Sequence, residues 1–135
     1  MKEVLAKRIK ILETAETTPF LRDIELEACR RDVLYFFDNY LYTDRNTNLF
    51  TGDEASKIPF IPFDFQRELI TEIRKSIISG TKPIDKREDL TNVFIEKSRQ
   101  MGVSWIVMGI FLYGFLFHNH KYLVISQKEE DVDKI

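Results

Sequence analysis

The sequence predicts an α/β fold in which a parallel sheet is preceded by a helical segment. A short β-like run at residues 92–96 is followed by a loop, an apolar helical run at 103–117 and a second β-like run at 121–126. Strand, helix and strand within about 35 residues make a βαβ unit, whose strands are parallel and joined by a right-handed crossover. Because the chain ends soon after the second run, we expect an incomplete sheet and an N-terminal fragment of a longer protein.

The composition is that of a globular chain without an overall charge signature. Of 135 residues, 44% are hydrophobic and 31% are charged, and the net charge is −2, which allows one modest domain with a core. Any contact with DNA would therefore be local or lie outside this chain. The single cysteine, Cys29, excludes an internal disulfide and is expected to pack in the core. The longest apolar run, 105–117, is shorter than the roughly 20 residues of a membrane span.

The first 62 residues are predicted to be helical and then loop-like. Apolar residues at helical spacing indicate a helix over residues 1–16, which the Thr17-Thr18-Pro19 sequence ends. A broad apolar face indicates a second helix over 23–42. Residues 43–62 are rich in Asn, Asp and Gly and contain two prolines, so a loop is expected there.

A third helix is predicted over residues 63–79. Asp64 is suited to the N-cap, a regular apolar stripe follows, and Gly80 is suited to the C-cap. A charged connector at 81–90 leads from this helix to the first β-like run. Beyond the second run, a polar helix is predicted to begin at Gln127.

The loop before the apolar helix has the spacing of a phosphate-binding loop. The pattern G-x-x-x-x-G-K-[ST] places Lys97 at the first glycine, Gly102 at the second, Val103 at the lysine and Ser104 at the hydroxyl residue. Backbone N–H groups at the beginning of a helix lack helical partners and bind anions, and the Ser104 hydroxyl can ligate Mg²⁺. Val103 cannot supply the usual positive charge, so Lys97 is the first candidate to contact a γ-phosphate and Arg99 the second. An ordinary turn between a strand and a helix is the competing interpretation.

A second candidate element lies upstream, in Pro62-Phe63-Asp64-Phe65-Gln66. A glutamine amide both donates and accepts hydrogen bonds, so Gln66 can recognise two adjacent polar positions of adenine. Phe63 or Phe65 can stack on the base. The competing interpretation is a surface glutamine beside core aromatic residues.

Together the two elements resemble the N-terminal ATPase region of the large terminase subunits of tailed bacteriophages. In that family the loop commonly reads S-R-Q-x-G-K-[ST], and a glutamine adenine motif lies upstream. Ser98-Arg99-Gln100-Met101-Gly102 matches the loop, and Gln66 matches the adenine motif. Some members lack the late lysine and have a basic residue at the beginning of the loop, where Lys97 lies in this chain. The resemblance covers residues 36–135 and is strongest at the loop.

The resemblance implies a P-loop ATPase core of the RecA/ASCE type. Residues 1–60 would be an N-terminal helical or lid segment, and residues 61–135 the first, truncated part of the core. The implied cofactors are ATP and Mg²⁺, with Lys97 or Arg99 as the catalytic charge and Ser104 as the metal ligand. The implied nucleotide-binding residues are Gln66, Ser98, Gln100, Met101, Gly102, Val103 and Ser104.

The resemblance also implies the biological setting of the protein. The full-length protein would be the ATP-hydrolysing motor that packages viral DNA into procapsids, and an endonuclease. Its partners would be double-stranded viral DNA, the portal protein, the small terminase subunit and further copies of itself in a ring. It would act in the cytoplasm of the bacterial host, without a membrane partner.

Several elements of that family do not occur in this sequence, and two alternatives remain open. No apolar run ends in the Asp-Glu pair that would hold Mg²⁺ and activate water, so we expect negligible ATP hydrolysis by the 135-residue chain alone. A helicase-like ATPase stimulated by nucleic acid also pairs an upstream glutamine with a phosphate loop. A non-catalytic assembly or interaction fragment, in which the loop only folds the domain, is the other alternative.

Two histidines, His118 and His120, flank Asn119 between the apolar helix and the second β-like run. No Cys, Asp or third His lies nearby in the sequence to complete a metal site. A loop at a helix C-terminus, where partial positive charge is favourable, is the preferred interpretation.

Overall fold

The computed structural model describes residues 2–44, 57–86, 92–98 and 101–125. It is mostly helical (71%). Its sheet has two strands, Tyr42–Asp44 (β1) and Lys57–Pro59 (β2), which pair antiparallel with Tyr42 opposite Pro59. The prediction of a parallel α/β sheet of the P-loop type is therefore wrong for the part of the chain that the structure describes.

The remaining regular structure of the described residues is helical. The helices are α1 (Lys2–Thr17), α2 (Pro19–Arg31), α3 (Val33–Tyr40), α4 (Asp64–Thr81), a short 3₁₀ helix (Ile84–Lys86) and α5 (Val103–His118). In chain order α1 packs on α2 and α2 on α3, while α4 and α5 pack on each other and on α3. No helix among the described residues has both the length and the apolar character needed to cross a bilayer.

Neither β-like run beside α5 forms a strand within the described ranges. Residues 92–98 and 119–125 have no regular secondary structure. A strand is stable when its backbone N–H and C=O groups pair with a neighbouring strand, and neither run has such a neighbour in the described structure. Apolar character alone was therefore a misleading signal. Ser126 and the helix predicted from Gln127 lie outside the described residues.

The predicted helix boundaries also required correction. The single helix expected over 23–42 is two helices, because Asp32 takes extended backbone angles and its Oδ1 accepts a hydrogen bond from the Leu34 N–H at 2.8 Å. The predicted loop at 43–62 contains most of the β1–β2 pair. In α4 the N-cap is Phe63 rather than Asp64, and Gly80 lies inside the helix, which ends at Thr81.

The apolar core lies where α3, α4 and α5 meet. Phe37 of α3, Ile70 of α4 and Ile106 and Ile110 of α5 are completely buried, and burial of such side chains contributes about 1.5–3 kcal/mol each. Helix α3 lies so close to α5 that a Cβ added at Gly109 would be 2.6 Å from the Phe37 ring. A glycine is therefore required at this crossing.

Arg8 of α1 is buried, with 1% of its surface exposed. Its guanidinium donates hydrogen bonds to the carbonyls of Asp38 at 3.0 Å, Phe37 at 3.3 Å and Phe60 at 3.1 Å, and also to the Leu41 carbonyl. Carbonyls in the last turn of a helix have no helical donor, so one side chain from α1 caps α3. It also ties the segment after β2 to the same place.

We expect Arg8→Met to destabilise the protein strongly. Methionine keeps an apolar stem but removes every N–H donor, so buried carbonyls at the end of α3 lose their partners. The free energy of unfolding should fall by about 2–4 kcal/mol, measured by urea denaturation followed by circular dichroism. Lys7→Met, at an exposed position of the same helix, is the matched control and should change it by less than about 0.5 kcal/mol. Equal stability of the two variants would contradict this role of Arg8.

Candidate phosphate-binding site

The beginning of α5 presents free backbone donors. Gly102 is its N-cap, in the left-handed region at φ 72° and ψ 11°, and the first helical bond runs from the Ile106 N–H to the Gly102 carbonyl at 3.1 Å. The N–H groups of the residues between them have no acceptor within the helix. Among the described residues no side-chain hydrogen bond caps this end, and the first turn contains no acidic residue, so the partial positive charge of the helix end is available to an anion.

Gln66 joins the two elements that the sequence analysis identified. Its side chain is 4% exposed, and its Nε2 donates to the Met101 carbonyl at 3.0 Å across 35 positions of sequence. Its Oε1 accepts from the Phe63 N–H at 2.9 Å. A Cβ at Gly102 would lie 3.0 Å from Gln66 Nε2, so the glycine makes room for this contact. The upstream motif and the loop therefore meet in space.

The remaining predicted site residues take different positions. Lys97, Ser98 and Ser104 are exposed, and Val103 is half-buried. The Ser98 hydroxyl contacts the Met101 sulfur at 3.4 Å. Arg99 and Gln100 lie outside the described residues. The structure thus brings Gln66 to Met101 and Gly102, and leaves Lys97 and Ser104 open to solvent.

The geometry gives Gln66 a role that the sequence analysis missed. A glutamine amide has two N–H donors and two lone pairs, and the contacts to Phe63 and Met101 use one of each. The signal for the first contact was present, since glutamine three residues after the N-cap is half of a capping box. Phe63 has no side-chain acceptor, so the reciprocal half does not form. The 35-residue contact to Met101 had no local signal.

Two exposed aromatic rings flank Gln66 at the beginning of α4. Phe63 and Phe65 are 67% and 46% exposed, and their rings are stacked with centroids 6.0 Å apart and planes 9° apart. Such a pair offers an apolar face to a planar group. It lies on the same helical turn as the glutamine that contacts the loop.

A magnesium ion at this site would depend on few protein ligands. The described residues contain no group of three or more His, Cys, Asp or Glu arranged to hold a metal. Mg²⁺ commonly takes one or two protein ligands and completes its shell with phosphate oxygens and water. The exposed Ser104 hydroxyl in the first turn of α5 fits that limited role.

The histidines at the other end of α5 make structural contacts. His118 Nε2 lies 2.9 Å from Arg74 Nη2, which makes the ring nitrogen the acceptor of a guanidinium N–H. Burial, followed by the charge of Arg74, lowers the pKa of His118 from its ordinary value of 6.5. His120 Nδ1 lies 3.1 Å from the Tyr122 hydroxyl, and Asn119 takes the left-handed C-cap conformation.

Comparison with protein-family models, with curated proteins and with solved structures finds no match to this chain. The geometry of the candidate site and its sequence motifs are therefore what supports it.

Gly102→Ala should destabilise the protein, whereas Gly80→Ala should not. A Cβ at Gly102 is disfavoured by the positive φ and would press on the Gln66 amide, at a cost of about 1–3 kcal/mol. A Cβ at Gly80 meets no atom within 4 Å, so alanine there should add about 0.5–1 kcal/mol by favouring the helix. Thermal denaturation of both variants checks whether the two substitutions change the melting temperature in opposite directions. A stabilising G102A would exclude the left-handed loop conformation.

Acidification should weaken the fold through His118. Since the folded state lowers the pKa of His118, the unfolded chain binds the proton more readily. The contribution of neutral His118 to the free energy of unfolding is therefore fully present above the unfolded pKa of about 6.5. It is lost as the pH falls toward the folded pKa. Urea unfolding at about pH 7.5 and about pH 5.5 measures it. His118→Gln, which keeps an acceptor for Arg74, should reduce the pH dependence, and His120→Gln should retain most of it. An unchanged pH dependence in H118Q would contradict the assignment.

Proposed function

We propose that this chain binds ATP and Mg²⁺ at the beginning of α5, as part of a DNA-packaging ATPase of the tailed-phage large terminase type. The observation that carries the proposal is the contact between Gln66 and the Met101 carbonyl. It joins the element proposed to recognise adenine to the loop proposed to bind phosphate. The Ser98-Arg99-Gln100-Met101-Gly102 sequence supports the choice of family.

The chemistry of the loop suits a polyphosphate anion. Free N–H groups at an uncapped helix end favour a nearby anion by about 0.3–1 kcal/mol at an exposed site. The Lys97 ammonium, on an exposed flexible stem, adds a mobile positive charge at the beginning of the loop. Lys97 is therefore proposed to contact the γ-phosphate and Ser104 to ligate Mg²⁺, with Arg99 as the competing cation.

Gln66 has two parts in this proposal. As a positioning residue it holds the Met101 carbonyl and so sets the path of the loop into α5. Its remaining N–H and lone pair are the groups that would pair with adenine. Because the side chain is almost fully buried, base recognition requires a small movement at its surface. The exposed Phe63 and Phe65 rings offer the base a stacking face.

The proposed biological partners follow from the family. They are double-stranded viral DNA, the portal protein, the small terminase subunit and other copies of the chain in a packaging ring, in the host cytoplasm. With a net charge of −2, this chain supplies no general electrostatic attraction to DNA, so the DNA contact would be local or lie outside this chain.

Nucleotide binding can be tested by the melting temperature. ATP with Mg²⁺ should raise it in a concentration-dependent manner, because a ligand that binds only the folded state stabilises it. Lys97→Ala should weaken the apparent affinity about tenfold, the loss expected for one charge-assisted contact. Lys10→Ala, at an exposed position of α1, is the matched control.

The outcomes of this titration distinguish the assignments. Loss of affinity in Arg99→Ala but not in Lys97→Ala would transfer the phosphate contact to Arg99. No change in melting temperature at millimolar nucleotide would overturn the proposal.

A non-catalytic assembly fragment is the second candidate function. The observation that favours it is the exposure of large apolar side chains beside α5: Phe94 is 94% exposed, and Leu123 and Ile125 are each 82% exposed. Large apolar side chains as exposed as these are stabilised when another protein segment covers them. The absence of a nucleotide effect in the titration would favour this candidate.

A further inference from the structure

An apolar cavity of about 690 Å³ lies between α1, α2, α3 and the end of α5, away from the phosphate loop. Its walls include Leu12 of α1, Cys29 of α2, Phe36 of α3 and Phe117 of α5. Sites for small molecules commonly have 300–1,000 Å³, mostly apolar walls and a few polar groups. This cavity has the size and the walls of such a site.

Two polar side chains of the cavity wall, Glu25 and Tyr40, are joined by a third, Tyr35, which lies outside the lining. Glu25 Oε2 accepts hydrogen bonds from the Tyr35 hydroxyl at 2.8 Å and from the Tyr40 hydroxyl at 2.9 Å. Burial, followed by the bond to Glu25, raises the pKa of Tyr35 to about 12 and also raises the pKa of Tyr40. Both tyrosines therefore remain donors, and the carboxylate is held in one orientation.

The second oxygen of this carboxylate is left for a ligand. Both tyrosines bond to Oε2, and no protein bond to Oε1 accompanies them in the described structure. A carboxylate fixed by two donors to one oxygen can accept a charge-assisted hydrogen bond at the other. The residue therefore presents an oriented negative group to an otherwise apolar space.

The charges around the cavity favour a cation. Glu16 and Glu25 line it with Arg22 as the only basic residue among the described lining. Arg22 is exposed and makes no ion pair within 4.0 Å in the described chain. Glu16 and Arg22 are both exposed, whereas Glu25 is half-buried, so the lining has one more negative than positive charge and its least exposed charge is negative.

We infer that this cavity binds a small amphiphile with an apolar body and a primary ammonium head, which donates to Glu25 Oε1. The apolar body would lie along Leu12, Cys29 and Phe117. Leu26 and Leu116, each about half exposed at 52% and 54%, would cover it at the mouth. Burial of such a chain contributes about 25 cal/mol per Å² of apolar surface, while the carboxylate selects the head group.

The wild-type chain tests head-group selection without any substitution. Decylammonium, decanoate and decanol have the same chain length, and each is titrated below its micelle-forming concentration by isothermal calorimetry. Decylammonium should bind about tenfold more tightly than the other two, since one charge-assisted hydrogen bond distinguishes them. Equal affinity for the three, tighter binding of decanoate through Arg22, or no binding would each overturn the inference.

Variants then assign the binding to the cavity and to Glu25. Glu25→Gln should remove the preference for the ammonium, whereas Glu68→Gln, an exposed position on α4, should leave it unchanged. Ala15→Phe, which adds a ring at the cavity wall, should weaken all three ligands about tenfold or more, with circular dichroism confirming the fold. Unchanged ligand affinity in A15F would overturn the placement. A dimer that is detected by light scattering and dissociated by A15F would also overturn the placement, because the cavity would then be an interface between copies.

Discussion

Four backbone carbonyls, three from the end of α3 and one from the segment after β2, converge on the guanidinium of Arg8. A guanidinium has five N–H donors in a fixed plane, so it can satisfy several acceptors that no helix or sheet would otherwise pair. The same group lies 4.9 Å from the centre of the Tyr42 ring. Helix α1, the end of α3 and the β1–β2 pair are therefore held at one buried cation.

The candidate site depends on this arrangement through the chain itself. The Phe60 N–H bonds the Leu41 carbonyl at 2.9 Å, and the Phe60 carbonyl bonds Arg8. Residue 60 is thereby fixed a few positions before Phe63, where α4 begins. Because Gln66 lies in the first turn of α4, the place of its contact with Met101 depends on where residue 60 is held. The geometry of the loop is set by contacts that begin at α1.

The two ends of α5 serve different purposes. At its beginning the backbone donors have no partner among the described residues, the first turn contains no acid, and Lys97 is exposed, which suits an external anion. At its end the Asn119 cap and the Arg74–His118 contact pair the polar groups of the helix with partners inside the protein. The apolar cavity lies on a third side, against α1 and α2. Phosphate binding and amphiphile binding would therefore involve separate surfaces of one helix.

The sequence alone indicated most of the helices and the two elements that are proposed as the candidate site. Apolar periodicity indicated α1 and α4, a continuous apolar run indicated α5, and the loop spacing indicated Gly102, because these signals are local. It did not determine that the two runs beside α5 lack strand partners, since pairing is a property of distant segments. It also did not indicate Arg8 or the contact of Gln66 with Met101. Those depend on groups 29 to 52 positions apart, which only the packing of the helices brings together.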